Sequence, residues 1–242
     1  MEQLDLFNFP KYKIKKPIRL IELFAGIGSQ AMALRNIGAN FESWRVCEFD
    51  KYAIQSYNAI HGTNYETSDI QKISGDSLGI TERDKYEYLL TYSFPCTDLS
   101  LAGKMQGMKK GSGTRSGLLW EVERLLIELG DNLPQVLLME NVPQVLTADG
   151  WGDWLEFLKG KGYNNFYKVL NAKNYGVAQN RERCYMISVL SSEFMEFDFP
   201  QGKPLTKTIR DYLEKKVDEK YYINTERAKT LINDLIISGR IS

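Results

Sequence analysis

A Pro-Cys pair stands directly after an apolar run in "YEYLLTYSFPCTDLS", residues 86–100. A thiol at a strand end, aimed by a proline that fixes its own φ and lacks an amide donor, suits nucleophilic attack. Nearby Lys and Arg side chains, or a strand-end amide, would lower its pKa. A cysteine can equally be a small buried hydrophobe, so the flanks of Cys96 decide. From Leu99 to Leu119 there are four cations (Lys104, Lys109, Lys110 and Arg115), five glycines and no acid. That is a poor core segment and a good mobile loop over a polyanion. Two other strand ends offer matching groups. Glu140 and Asn141 follow the apolar run "QVLLM", and Gln179, Arg181 and Arg183 precede another in "RCYMISVL". A buried carboxyl group can be protonated near neutral pH and donate a hydrogen bond. An arginine has the donors to hold a ring oxygen or a phosphate. Each also has a plainer role, as a surface acid or a salt-bridge partner.

Upstream, "FAGIGSQA" sets Gly26, Gly28 and Ala31 as G-x-G-x-x-A after an apolar run. The glycines permit a tight turn and close backbone approach to a ligand. Glu48 follows Gly28 by 20 residues, the usual separation for an acid that binds ribose hydroxyls. Phe49 beside it would lie against an adenine, and Asp69 in "TSDIQKI" would accept from the adenine amino group. A glycine turn with a surface acid, and a turn aspartate, are the bland alternatives. The pattern specifies an adenosine-type cofactor more than it specifies which one.

These groups need a scaffold that brings strand ends together. Apolar runs at residues 18–24, 43–49, 86–94, 134–141, 166–172 and 183–190 read as strands. Between them lie helix-like "SQAMALRNIG", stopping at Gly38, and "KYAIQSYNAIHG", capped by Asp50 and stopping at Gly62. Leu118, Val122, Leu125 and Leu129 recur at helical spacing, and "WGDWLEFLKGKG" reads as a further helix. Strand–helix alternation predicts an α/β fold, an open and mostly parallel sheet with helices on both faces. Ligands in such sheets sit at the carboxyl ends of strands. The composition turns polar after about Pro200. The expected division is a catalytic, cofactor-binding domain over 1–200 and a helical extension over 201–242.

The chain has 242 residues, 43% of them hydrophobic, and a formal net charge of zero. It is long enough for one α/β domain, and it is no polycation, so nucleic-acid binding must come from local patches or a partner. Three scattered cysteines and one histidine, with no C-x-x-C, argue against a zinc site and suit a reducing cytosol. No metal is expected. The start lacks a signal-peptide core, and no apolar run approaches the ~20 residues of a membrane span. The expected location is therefore cytoplasmic.

Taken together, the chain resembles the DNA cytosine-5 methyltransferases. The resemblance rests on "FAGIGS" (24–29), "EFDKYA" (48–53), "SDI" (68–70), "FPCTDLS" (94–100), "RSGLLWE" (115–121), "ENV" (140–142) and "QNRERCYM" (179–186). They occur in family order and cover roughly residues 18–190. Thr97 stands where a glutamine is common, and Leu99 where an aromatic is common; neither removes a reacting group.

The resemblance implies a Rossmann-like S-adenosylmethionine-dependent methyltransferase fold, of bacterial or phage origin. It implies that S-adenosylmethionine (leaving as S-adenosylhomocysteine) is held by Phe24, Ala25, Gly26, Ile27, Gly28, Glu48, Phe49, Asp69, Ile70, Pro95 and Leu118. It assigns catalysis to Cys96, Glu140, Arg181 and Arg183. Contacts to double-stranded DNA fall to Ser100, Lys104, Lys109, Lys110, Arg115 and Gln179. Cys96 adds to cytosine carbon 6, Glu140 contacts ring nitrogen 3 and the exocyclic amine, and Arg183 steadies Glu140 or the base. The target nucleotide flips out of the duplex, and the loop over residues 98–114 closes on it.

The family places a sequence-reading domain and a returning segment after the "QNRER" region. No G-N-x-V-like return segment occurs in the last fifty or so residues. The expectation is a complementary subunit carrying target recognition and the final motifs; truncation or a reduced architecture are the alternatives. Rival functions are a nicotinamide-dependent dehydrogenase, which leaves Cys96 and Glu140 unexplained, a cofactor-binding regulatory partner, and an RNA cytosine-5 methyltransferase.

Overall fold

The computed structural model describes residues 11–96, 108, 110–111, 113–193 and 195–240. Six strands form one sheet: β1 (Ile18–Leu23), β2 (Phe41–Cys47), β3 (Glu87–Tyr92), β4 (Val136–Asn141), β5 (Tyr163–Asn171) and β6 (Glu182–Leu190). Their spatial order is β2-β1-β3-β4-β6-β5. The pairs β1/β2, β1/β3 and β3/β4 are parallel, while β6 runs antiparallel to both β4 and β5. Every residue of β1 and β3 is buried, as expected of strands covered on both faces.

The helices that cover them are α1 (Ser29–Asn36), α2 (Lys51–His61), α3 (Leu119–Glu128) and α4 (Trp151–Gly160); α5 (Glu226–Ile237) lies in the tail. On one face, Ile21, Leu23, Leu90, Tyr92, Leu137 and Met139 pack with Leu119, Val122 and Leu125 of α3 and Trp154 and Leu158 of α4. On the other, Ile18, Leu20, Leu89 and Val136 meet Ala31 and Leu34 of α1. The punctuation follows the sequence. Asp50 accepts from the amides of Tyr52 and Ala53 at the start of α2, and Gly62 ends it at φ 66°. Strand β2 begins and ends two residues earlier than its apolar pattern predicts, because Glu48 and Phe49 leave the ladder for the ligand edge.

The chain steps from β1 outward to β2, then crosses back past β1 to β3. That reversal opens a crevice at the carboxyl ends of β1 and β3, where doubly wound sheets bind ligands. The antiparallel β6 has the opposite effect on its own chain. It sets the amino end of β6 beside the carboxyl end of β4, with Tyr185 opposite Glu140 and Cys184 opposite Asn141. The two strand-end motifs thus share one edge.

Beyond Pro200 no described residue is buried. The Lys203 amide donates to the Asn174 carbonyl at 2.7 Å, joining the start of this tail to the body.

One buried polar group holds α1 and α2 to β1. Glu22 is fully buried; it accepts from the Tyr57 hydroxyl at 2.6 Å and the Ala31 amide at 3.3 Å. Burial raises its carboxyl pKa, opposed by the Tyr57 and Ala31 hydrogen bonds. Tyr57→Phe should therefore destabilise the fold by about 1–3 kcal/mol at neutral pH. A raised folded-state pKa means that stability falls as pH rises from the ordinary glutamate range through the folded value. The variant raises that value further, so its deficit should shrink as pH falls toward 4 and Glu22 takes a proton. Urea titrations at both pH values check this.

Candidate active site

The turn after β1 is the floor of the site. Phe24, Gly26 and Gly28 have φ of 56°, 56° and 79°. Positive φ is ordinary for glycine and strained for phenylalanine. The Glu48 carboxylate braces the turn, accepting from the Gly26 amide at 2.7 Å and the Asp50 amide at 2.8 Å. Oxygen lone pairs remain there for a diol.

Two cavities meet at Phe24 and Ser93, the residues following β1 and β3. The first, of about 710 Å³, is lined by Glu48, Phe49, Asp69, Ile70, Pro95 and Leu118, all singled out from sequence. Its acids, Glu48, Asp50 and Asp69, and the apolar walls beside them fit the ribose and adenine of S-adenosylmethionine. Phe49 is 76% exposed, its ring free to take a ligand face. The second cavity, of about 630 Å³, contains Ala25, Gly26, Ile27, Glu140 and Arg181 and continues along α1. Gly28 lines neither. A Cβ there would lie 2.3 Å from His61 Nε2 and 2.5 Å from the Tyr57 ring, so this glycine serves the packing of α2 against the turn.

Cys96 sits at the end of the β3 segment, partly exposed. Its backbone is clamped from two sides. Asn141 Nδ2 donates to the Phe94 carbonyl at 3.0 Å, and the Ser116 hydroxyl donates to the Pro95 carbonyl at 2.8 Å. Cys47 and Cys184 are buried. Burial raises the Cys47 thiol pKa, and burial with the nearby Glu140 charge pushes Cys184 up to about 11. Neither can supply a ready thiolate.

Glu140 and Arg183 are brought together: Arg183 Nε lies 3.0 Å from Glu140 Oε1, both side chains about four-fifths buried. Arg181 shares the second cavity with Glu140, and Gln179 is exposed on the approach to β6.

The predicted DNA contacts divide. Ser100, Lys104 and Lys109 lie outside the described residues, as does most of the 98–114 loop. Arg115 lines the adenosine-side cavity. Lys110 is engaged by the protein itself. Its Nζ lies 2.6 Å from Glu123 Oε2 and 5.4 Å from the Trp120 ring centroid. Its charge is matched by an acid on α3. Sequence reasoning also missed Ser93, Asn141's clamp and Ser116. Ser93 falls inside the run at 86–94 and was read as strand; the clamps become visible only in three dimensions.

Among the described residues no cluster of three or more His, Cys, Asp or Glu side chains could hold a metal, and no helix is long and apolar enough to cross a membrane.

Fold and site together define a nucleoside-cofactor α/β enzyme with a strand-end thiol, the architecture of S-adenosylmethionine-dependent methyltransferases. Residues 18–235 match the family model described as C-5 cytosine-specific DNA methylase. The orphan methyltransferase M.SssI of Spiroplasma monobiae is 36% identical over 266 residues, covering 86% of this chain and 68% of that protein. The type II methyltransferase M2.ScrFI of Lactococcus lactis subsp. cremoris is 30% identical, covering 87% and 71%. The crystal structure of S. pombe Dnmt2 methyltransferase superposes with a TM-score of 0.67 at 24% identity, over 90% of this chain and 65% of that one. The chain belongs to the C-5 cytosine-specific DNA methylase family. Its reaction class is methylation of cytosine carbon 5 in DNA with S-adenosylmethionine as donor.

Lys110→Ala should lower stability, because it leaves Glu123 without its partner. It should leave the salt dependence of DNA binding unchanged. Loss of a phosphate-contacting lysine would instead reduce the slope of log K against log salt by about one. Fluorescence anisotropy across a salt series separates the two.

Proposed function

We propose that this chain methylates carbon 5 of cytosine in duplex DNA through a covalent adduct of Cys96. The observation that carries this reading is the partly exposed thiol, clamped at a strand end on the same edge as Glu140 and Arg183. Bound over Phe24, with its ribose at Glu48 and its adenine at Asp69, S-adenosylmethionine supplies an electrophilic methyl group.

The chain's own residues prepare the base. Carbon 5 of cytosine is a weak nucleophile. The Cys96 thiolate adds to carbon 6, and the ring electrons pass toward carbon 5. Glu140 meets ring nitrogen 3 and the exocyclic amine, which assists that addition. Arg183 orients Glu140 through their ion pair. Once carbon 5 carries its methyl group, loss of the carbon 5 proton and departure of Cys96 restore the aromatic ring and the thiolate. A cytosine inside a duplex is out of reach, so the nucleotide is flipped toward this edge.

The reading extends to a partner. The cavity beside α1 is walled by Ala33, Leu34, Ile37, Leu89 and Leu138, and Ile37 is 76% exposed. An open apolar groove next to a cofactor site favours association. A complementary segment, carried on a second chain, closes it and reads the target sequence. The two sequence relatives named above, from Spiroplasma and Lactococcus, are bacterial, which supports action on DNA in a bacterial cytoplasm.

Cys96→Ser should abolish transfer while leaving the melting temperature unchanged. A duplex containing 5-fluorocytosine should trap the unsubstituted enzyme covalently, since no carbon 5 proton is left to remove. Transfer at the original rate by the serine variant sinks the mechanism. RNA of matching sequence, run alongside, tests the choice of nucleic acid.

The partner is tested separately. Labelled methyl transfer to mixed-sequence DNA should be weak with this chain alone and should rise, with sequence specificity, when the complementary chain is added. Strong, specific methylation by the 242-residue chain overturns that part.

A further inference from the structure

The adenine edge of the proposed cofactor cavity is made by a stretch with no strand of its own. Residues 69–74 form turns only. Within them the Gln71 amide donates to Asp69 Oδ1 at 3.1 Å and the Lys72 amide to the Asp69 carbonyl at 2.9 Å. These local bonds shape the turn and attach it to nothing. Ser68, just before the turn, is held to the β2 side by its amide, which donates to the Glu48 carbonyl at 2.8 Å; the turn itself, at Ile70, Ile73 and Gly75, is held by α3. Arg124 Nη2 donates to the carbonyls of Ile70 at 2.9 Å and Ile73 at 3.0 Å. The Gly75 amide donates to Glu128 Oε2 at 2.7 Å.

Arg124 is itself fixed on both flanks. Its Nε donates to Glu121 Oε2 and its Nη1 to Glu128 Oε1, each at 2.7 Å. The planar guanidinium therefore spans two carboxylates of its own helix and two carbonyls of the turn, a spread of donors that a lysine ammonium cannot reproduce. The contact is close as well as polar. A Cβ on Gly75 would lie 2.8 Å from Glu128 Cβ and 3.0 Å from the Leu125 carbonyl. On the turn's other side, the Ile70 side chain is buried in the core that α3 helps to form.

We propose that Arg124 is a positioning residue for the cofactor: from α3 it fixes the Asp69–Ile70 edge, and so sets how Asp69 meets the adenine amino group. This rests on the cavity reading above and deepens it. Arg124 does not line the cavity itself. Its effect reaches the ligand through the carbonyl of Ile70, one residue from the selecting carboxylate.

The test is calorimetric and needs no turnover. The chain, Arg124→Met, Arg124→Lys, Asp69→Ala and the Arg124→Met/Asp69→Ala double variant are each titrated with S-adenosylhomocysteine. The same proteins are titrated with S-inosylhomocysteine, whose purine 6-position accepts rather than donates. Arg124→Met should weaken S-adenosylhomocysteine about tenfold, since small misplacements by remote residues carry such penalties. It should narrow the preference for the adenine ligand, and it should add little in the Asp69→Ala background. Arg124→Lys should fall between, and it carries the test if the methionine variant does not melt cooperatively. Unchanged affinity overturns the proposal. Equal loss for both ligands, additive with Asp69→Ala, also overturns it, because that pattern marks a merely structural role. If Asp69→Ala itself binds both ligands like the unsubstituted chain, the cavity reading falls first and the proposal with it.

Discussion

The constraint on which the site depends is the backbone turn after β1. Three of its five residues, Phe24, Gly26 and Gly28, adopt positive φ. Phe24 is the one non-glycine residue that does so among the described residues, at a penalty of roughly 1–2 kcal/mol. Such strain persists only where the surroundings over-determine it. Here they do: Glu48 holds the Gly26 amide, and Tyr57 and His61 press on Gly28. The result is a floor at the switch point of the sheet, with Phe24 shared by both cavities. Relaxing the turn would move the cofactor end of the site and the start of α1 together.

A second constraint comes from strand direction. In an all-parallel sheet the amino end of β6 would lie at the opposite edge from the carboxyl end of β4. Its antiparallel insertion brings Arg181 and Arg183 to Glu140 instead. The same pairing buries Cys184, which keeps a second thiol out of the chemistry. Topology thus assembles the charged half of the site, while the glycine turn assembles the nucleoside half. The Asn141 and Ser116 clamps on the Phe94–Pro95 backbone join the two halves.

Much of this was legible because the relevant signals are local. Strands buried on both faces read as apolar runs, and Gly38, Asp50 and Gly62 mark helix ends by φ and by capping. Glu48, Cys96 and Glu140 stand at or just after the ends of such runs and could be picked out by position, whereas Asp69 was chosen from its turn. What escaped were the contacts between distant segments. The ion pair of Lys110 was not visible because Glu123 lies one turn inside a helix whose orientation the sequence does not state. The packing role of Gly28 was hidden because the side chains against it, Tyr57 and His61, come from α2, beyond an intervening strand. Pattern identifies the residues at an edge; it does not say which neighbour engages them.

The two faces of the sheet are unequally covered among the described residues. Helices α3 and α4 bury one face, and α3 also anchors the turn at Asp69 and the charge of Lys110. The α1 face ends in an open groove beside the catalytic edge. The tail shows a related imbalance. Helix α5 has its Thr225 cap, which accepts from the Ala228 amide, yet none of its residues is buried. A twelve-residue helix gains little stability from capping alone. Its Leu231, Ile232 and Ile236 side chains remain exposed, so its persistence depends on what that side meets. An apolar groove beside α1 and an apolar face on α5 are thus two surfaces that the packing of the described residues leaves uncovered.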